Sequence, residues 1–330
     1  MKMSIGKLNH GERNLISDVP GVRVGHTTVD HDDCHTGVTV VMPPPHNPFT
    51  EKLTAASCVF NGYGKTLGLV QVDELGTLET PIALTNTLNV GKVHDALVSY
   101  MLELCREDGI KLTSVNPVVC ECNDSRISDI AQRPVGEEEV FSAIRNASAD
   151  FAQGAVGAGR GTLCYGMKGG IGSSSRLLEI DGKVFTLGVL VQSNYGASED
   201  FRRAALPPEL SESDQGSIIL ILATDLPLSA RQLRRVLRRT SVGMARLGSY
   251  IGHGSGEIAV GFTTARPQAC GESFLRQAVL REELMNLPFR AAGECAEEAI
   301  LQSMWNAGAD IMLSGAKVPS LREFLKENSL

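Results

Sequence analysis

A serine between two glycines, Gly254-Ser255-Gly256, stands just ahead of Ile258, Val260 and Phe262, which alternate with small or polar residues. Alternation with a period of two predicts a half-buried strand, with the serine at its entrance. Flanking glycines allow backbone angles closed to other residues and let another group come close to the main chain. A serine hydroxyl needs that freedom to attack its own preceding carbonyl. If the Gly254–Ser255 bond breaks, Ser255 becomes an N-terminus that carries a nucleophilic hydroxyl and a free α-amine able to serve as its base. An α-amine has a pKa of about 7.7–8.0, close enough to neutrality to accept a proton. His253 is a rival base two residues earlier, but a cut after Gly254 leaves it on the tail of the other fragment. The surrounding residues do not form a Gly-x-Ser-x-Gly elbow. A flexible glycine-serine loop before a strand would read the same way.

Other constellations carry less chemistry. The eight cysteines are scattered; only Cys120 and Cys122 are close, and their single-residue gap differs from that of a zinc or redox pair. Such thiols are expected to be reduced in a cytoplasmic protein. Asp30-His31-Asp32-Asp33-Cys34-His35 could bind a metal but reads as a polar loop, so no metal is assigned. The glycine-rich stretches at 154–161 and 168–173 have neither Gly-x-Gly-x-x-Gly spacing nor a Walker lysine, and are read as tight turns.

The elements that must position Ser255 are strands in the first half, over 38–42, 66–72 and 82–85, and a core strand over 217–223. Helical spacing marks 92–107, 137–152, about 230–247 and about 292–307. The proline-rich, polar stretch 206–215 is the best linker. The arginines of 230–247 fall mostly on one side, which suits a solvated or subunit-facing surface better than a phosphate site. Mixed strands and helices imply sheets covered by helices.

Several blocks in order carry a resemblance: GVRVGHTT at 21–28, LETPIALTNTL at 78–88, KGGIGSSSR at 168–176, GVLVQSNYG at 188–196, ATDLPL at 223–228, and the segment around Ser255. Together they resemble the DmpA/P1 family, the L-aminopeptidase/D-esterase and β-peptidyl aminopeptidase group, over nearly the whole chain. The resemblance implies an α/β fold of four layers, an αββα sandwich of the N-terminal-nucleophile type related to the ornithine acetyltransferases. It implies one domain over 1–330, cut into 1–254 and 255–330, and a homotetramer. It also implies site residues. Glu297 matches a glutamate that holds the new amine, with Glu298 one register off, and Cys295 stands where a serine is expected. A thiol is the weaker hydrogen-bond donor. Asn194 matches an oxyanion asparagine, Asn123 stands where some members carry a tyrosine donor, and Glu121 matches a carboxylate for the substrate amine. Read without the resemblance, Glu297 is a solvent-facing helix residue, Asn194 a turn residue and Glu121 a sheet-edge residue.

Composition sets the outer limits. With 330 residues, 42% hydrophobic and 21% charged, the chain can bury a large core. A net charge of −7 gives nucleic-acid binding no electrostatic support. No apolar run reaches membrane-span length, and the first ten residues lack an apolar signal core, so a cytoplasmic protein is expected. The leading expectation is a self-processing serine aminopeptidase acting on short peptides, amides or esters without a cofactor. Alternatives are an acyltransferase of the same fold, disfavoured because the related acetyltransferases process before threonine, and a non-catalytic relative with an altered site.

Overall fold

The computed structural model describes residues 5–44, 46–201, 215–269 and 273–327. Its strands are β1 (Arg23–His31), β2 (Cys34–Met42), β3 (Leu53–Gly62), β4 (Thr77–Leu78), β5 (Ile82–Asn86), β6 (Val118–Cys122), β7 (Leu163–Cys164), β8 (Met167–Lys168), β9 (Gly170–Ile180), β10 (Lys183–Asn194), β11 (Gln215–Thr224) and β12 (Gly254–Thr263). The principal helices are α1 (Leu69–Leu75), α2 (Val90–Glu107), α3 (Glu137–Arg145), α4 (Ala230–Leu237), α5 (Thr240–Arg246) and α6 (Asn286–Trp305).

Two sheets form the middle layers. One runs β1-β2-β5-β6 and the other β4-β3-β12-β11-β10-β9. Pairing is antiparallel except for β5 with β6 and β11 with β12. Each parallel pair needs a long crossover; α2 lies in the first, α4 and α5 in the second.

The strand alternation sorts side chains into layers. Ile258, Val260 and Phe262 of β12, Ile219 and Ile221 of β11, and Ile82, Leu84, Val118 and Cys120 of the other sheet share one buried cluster between the sheets. The intervening residues Ala259, Ile218, Leu220 and Leu222 join Leu233, Val236 and Ala296 in the layer under α4–α6. On the far side, Val38, Val40, Ala83 and Val119 meet Val93 and Leu97 of α2 and Val140 of α3. The result is the expected four-layer αββα arrangement. Each fully buried Val, Leu, Ile or Phe in it contributes roughly 1.5–3 kcal/mol.

Helix α6 lies close against β9 because that strand is built from small residues. A Cβ on Gly172 would sit 2.0 Å from the Ala299 carbonyl oxygen, and Ser174 Oγ donates to the Cys295 carbonyl at 2.8 Å. Buried on both sides, α6 carries three buried carboxylates, Glu294, Glu297 and Glu298. Arg176 of β9 pairs with two of them, Nε to Glu294 at 3.3 Å and Nη2 to Glu298 at 2.6 Å.

Four elements differ from the sequence reading. Residues 66–72 form no strand: α1 begins at Leu69 and ends at Gly76, whose φ of 67° and N–H to the Val72 carbonyl make a left-handed cap. The helix predicted over 230–247 breaks at Arg238 and Arg239 into α4 and α5. Helix α3 stops at Arg145, not near 152, because Ser148 exchanges backbone hydrogen bonds with Val24 of β1. Helix α6 starts six residues earlier than expected, at Asn286. The linker assigned to 206–215 lies outside the described residues except for Gln215, which opens β11. Among the described residues, seven cysteines are free thiols.

Candidate active site

The C-terminal ends of β5, β6 and β10 and the N-terminal ends of β11 and β12 lie around one cavity of about 940 Å³. Its lining includes Tyr63, Lys65, Glu121, Asn123, Asn194, Gly216, His253 and Gly254. Ser255 follows Gly254 at the head of β12 and is completely buried. Its Oγ has no hydrogen-bond partner among the described residues. A buried hydroxyl without a partner carries a desolvation cost.

The turn before Ser255 is tightly held. Ser255 N donates to the Gly252 carbonyl at 3.1 Å. Left-handed backbone falls on Ile251, at φ 60°, a conformation costly for a β-branched residue. Gly256 is required by proximity: a Cβ there would lie 2.6 Å from the Tyr63 carbonyl oxygen. Asn61 of β3 spans the turn, with Nδ2 donating to the carbonyls of Gly252 and His253 at 3.0 Å each and to that of Ser255. Sequence reading missed Asn61, since Asn61-Gly62 reads locally as a turn.

Glu121 sits at the end of β6, buried, with its carboxylate fixed from two sides. Lys65 N donates to Oε1 at 2.9 Å and Thr87 Oγ1 to Oε2. A carboxylate oxygen has two lone pairs, so both oxygens keep acceptor capacity toward the cavity. Asn194 ends β10. Its Oδ1 accepts from Leu163 N and its Nδ2 donates to the Asn123 carbonyl, both at 2.9 Å. Among the described residues, one Nδ2 hydrogen has no acceptor. Asn123 is exposed, and its Oδ1 accepts from Ser125 N at 3.0 Å, which turns its amide nitrogen away from that contact.

Cys295 and Glu297 do not line the cavity. Cys295 is part of the core between the six-stranded sheet and the helices; its Sγ donates to the Leu187 carbonyl at 3.6 Å, and burial pushes the thiol up to about 12. Glu297 is buried on α6, and its Oε2 accepts from Arg246 Nη1 at 3.1 Å.

Behind Asn194, Lys168 is fully buried and donates to the carbonyls of Gly159, Thr162 and Gly169 at 3.2, 2.9 and 3.2 Å. Burial lowers its pKa to about 7. Asp124, next to Asn123, accepts from Asn86 Nδ2 at 3.2 Å, and burial raises its carboxyl to about 6.

A buried serine at a strand head, a carboxylate held from two sides and two asparagines thus lie around one cavity. The model of peptidase family S58 matches residues 14–316. The chain belongs to peptidase family S58. It is 35% identical over 327 residues to the β-peptidyl aminopeptidase BapA of Sphingosinicella xenopeptidilytica, covering 89% of this chain and 81% of the relative. The crystal structure of the PH0078 protein from Pyrococcus horikoshii matches with a TM-score of 0.90 and 42% identity, covering 98% of this chain and 96% of that one. The L-aminopeptidase D-Ala-esterase/amidase of Ochrobactrum anthropi, a variant of the N-terminal-nucleophile hydrolase fold, matches with a TM-score of 0.86 and 30% identity, covering 98% and 96%. The family and fold expected from the motifs therefore hold, and the chain is a serine aminopeptidase, a hydrolase.

Proposed function

We propose that this aminopeptidase matures by breaking its own Gly254–Ser255 bond and then removes N-terminal residues from short peptides, amides or esters through an acyl-enzyme on Ser255. The observation that carries the proposal is the uncommitted, buried Ser255 hydroxyl directly beside a cavity that holds Glu121, Asn123 and Asn194.

In maturation, Ser255 Oγ attacks the Gly254 carbonyl carbon. The hydroxyl proton ends on the Ser255 nitrogen as the C–N bond breaks, leaving an ester and a free α-amine. Water then hydrolyses the ester, giving the Gly254 carboxylate. In turnover, the α-amine takes the Ser255 hydroxyl proton as Oγ attacks the substrate carbonyl and passes it to the leaving amine or alcohol as the scissile bond breaks; water then hydrolyses the acyl-enzyme ester, releasing the N-terminal residue as its carboxylic acid and restoring the Ser255 hydroxyl. The free Nδ2 hydrogen of Asn194 and the Asn123 amide are suited to receive the developing oxyanion. The Glu121 carboxylate takes the substrate ammonium, which makes the enzyme an exopeptidase. Cys295 and Glu297, buried on α6 and outside the cavity lining, support the helix layer rather than the reacting atoms in this reading. Whether the removed residue is an L-, D- or β-amino acid is set by the cavity; the relatives' names include β-peptides and D-alanyl esters as their own substrates.

Assembly as a homotetramer in the cytoplasm belongs to the same proposal. Exposed apolar side chains at Val59, Val70 and Leu75 support an assembly surface, and the free thiols support a reducing compartment.

The test is a denaturing gel with intact mass analysis of the purified protein beside Ser255→Ala, together with an assay on free and N-acetylated peptide amides. Fragments 1–254 and 255–330, absent in the variant, and hydrolysis restricted to free amines are expected. One uncut chain in the active wild type would overturn self-processing.

A further inference from the structure

The Asn61 side chain contacts the main chain on both sides of Gly254. Three carbonyl oxygens, those of Gly252, His253 and Ser255, surround its side-chain nitrogen. Carbonyls accept only, so the amide nitrogen, with its two hydrogens, must be the atom that faces them. The carbonyl omitted from this set is that of Gly254, the one at the bond to be cut.

The fold delivers Asn61 to that place by a local irregularity. β3 pairs with β12 as Gly62↔Gly256 and Asn61↔Glu257, and then Val59↔Ile258, so Phe60 is an extra residue on β3. A bulge of this kind bends a strand and re-aims a neighbouring side chain, and bulges gather beside active sites. On the opposite side of the turn, Ile251 is held at φ 60°.

We infer that Asn61 is a positioning residue for self-cleavage. It fixes the carbonyls on both sides of Gly254 and does not itself engage the Gly254 carbonyl, the group that Ser255 Oγ attacks. After the cut, it retains the new N-terminal residue through the Ser255 carbonyl and the tail of the first fragment through Gly252 and His253. This rests on the self-processing reading above. Misplacing a reacting group by about 1 Å costs on the order of a hundredfold in rate.

The experiment compares wild type, Asn61→Ala and Asn61→Asp as full-length chains, following fragments by intact mass over time at pH 5 and pH 8 and checking folding by thermal melting. Asn61→Ala should cut about a hundredfold more slowly. Asn61→Asp keeps the shape but presents a carboxylate to three acceptors. Protonation restores a donor, so it should cut roughly tenfold faster, relative to wild type, at pH 5 than at pH 8. A purely structural role would not produce that acid rescue. If wild type cuts and both folded variants cut equally fast, Asn61 is not a positioning residue, although the self-processing reading stands. A slow Asn61→Asp with no gain in acid overturns the donor role even if Asn61→Ala fails to fold. If wild type itself stays whole, the self-processing reading falls and this inference falls with it.

Discussion

Asn194 reaches from the six-stranded sheet to the four-stranded one, where its Nδ2 donates to the Asn123 carbonyl at 2.9 Å. With Leu163 N on its Oδ1, the amide has one orientation and one hydrogen left. Preorganised donors of this kind matter most where charge develops in the transition state.

Asn194→Ala should therefore lower kcat by about 10²–10³-fold with little change in KM. Steady-state kinetics on a peptide amide check this. An unchanged kcat would remove Asn194 from the oxyanion role.

Glu121→Gln can keep the bond from Lys65 N on its amide oxygen and turn the Thr87 hydroxyl into an acceptor for its NH2, but it removes the charge that attracts a substrate ammonium. A hydrogen bond to a charged group contributes about 1.5–3 kcal/mol, so KM for free-amine substrates should rise roughly 10- to 150-fold. Inhibition constants for amine and acetylated substrate analogues measure the difference. Equal losses for both would show that the carboxylate does not read the amine.

The Arg176 guanidinium is buried between Glu294 and Glu298 and also donates to the carbonyls of Ser175 and Ile5. Arg176→Met leaves buried Glu298 without its guanidinium and buried Glu294 with only the more distant Arg290 at 4.0 Å, and should cost about 3–5 kcal/mol. Adding Glu294→Gln and Glu298→Gln should recover part of that loss. Urea unfolding of the three proteins tests both statements.

Lys168 has a folded pKa near 7, below its ordinary 10.5. Between these values the unfolded chain holds a proton that the folded chain has released, so unfolding becomes harder as pH rises across that window and easier as pH falls toward 7. Urea unfolding of wild type against Lys168→Met at pH 7, 8 and 9 should show a difference that shifts in favour of wild type with rising pH. The variant is expected to be less stable at each pH, because three buried carbonyls lose their donor.

Much of the scaffold was legible because its cause is local. Ile258, Val260 and Phe262 alternate, and so do Ile219 and Ile221, and these periods set which side of each strand is apolar. Helix α1 escaped because Thr66 to Val72 alternates like a strand, while the signal that decides it, Gly76 as a left-handed cap, lies beyond the run. The break at Arg238 is equally hidden, since its arginines continue a helical period. In the candidate site, Glu121 and Asn194 stand at the ends of β6 and β10, positions that strand patterns and motifs make legible. Asn61 could not be read, because its partners lie more than 190 residues away and only the bulged pairing of β3 with β12 brings them within reach. Glu297 and Cys295 fell on the expected helix, but a helix position alone does not say which neighbours the side chains meet.

The position of β12 has a consequence for the proposed cut. This strand carries Ser255 at its head yet is flanked on both sides by strands of the preceding segment, β3 and β11. Pulling residues 255–330 away from 5–254 would unzip two ladders and leave two raw seams through the middle of a sheet, each an invitation to aggregate. The proposed scission at Gly254 would therefore create two chain ends, at Gly254 and at Ser255, and nothing else: the molecule would become two polypeptides and remain one body in every mechanical sense.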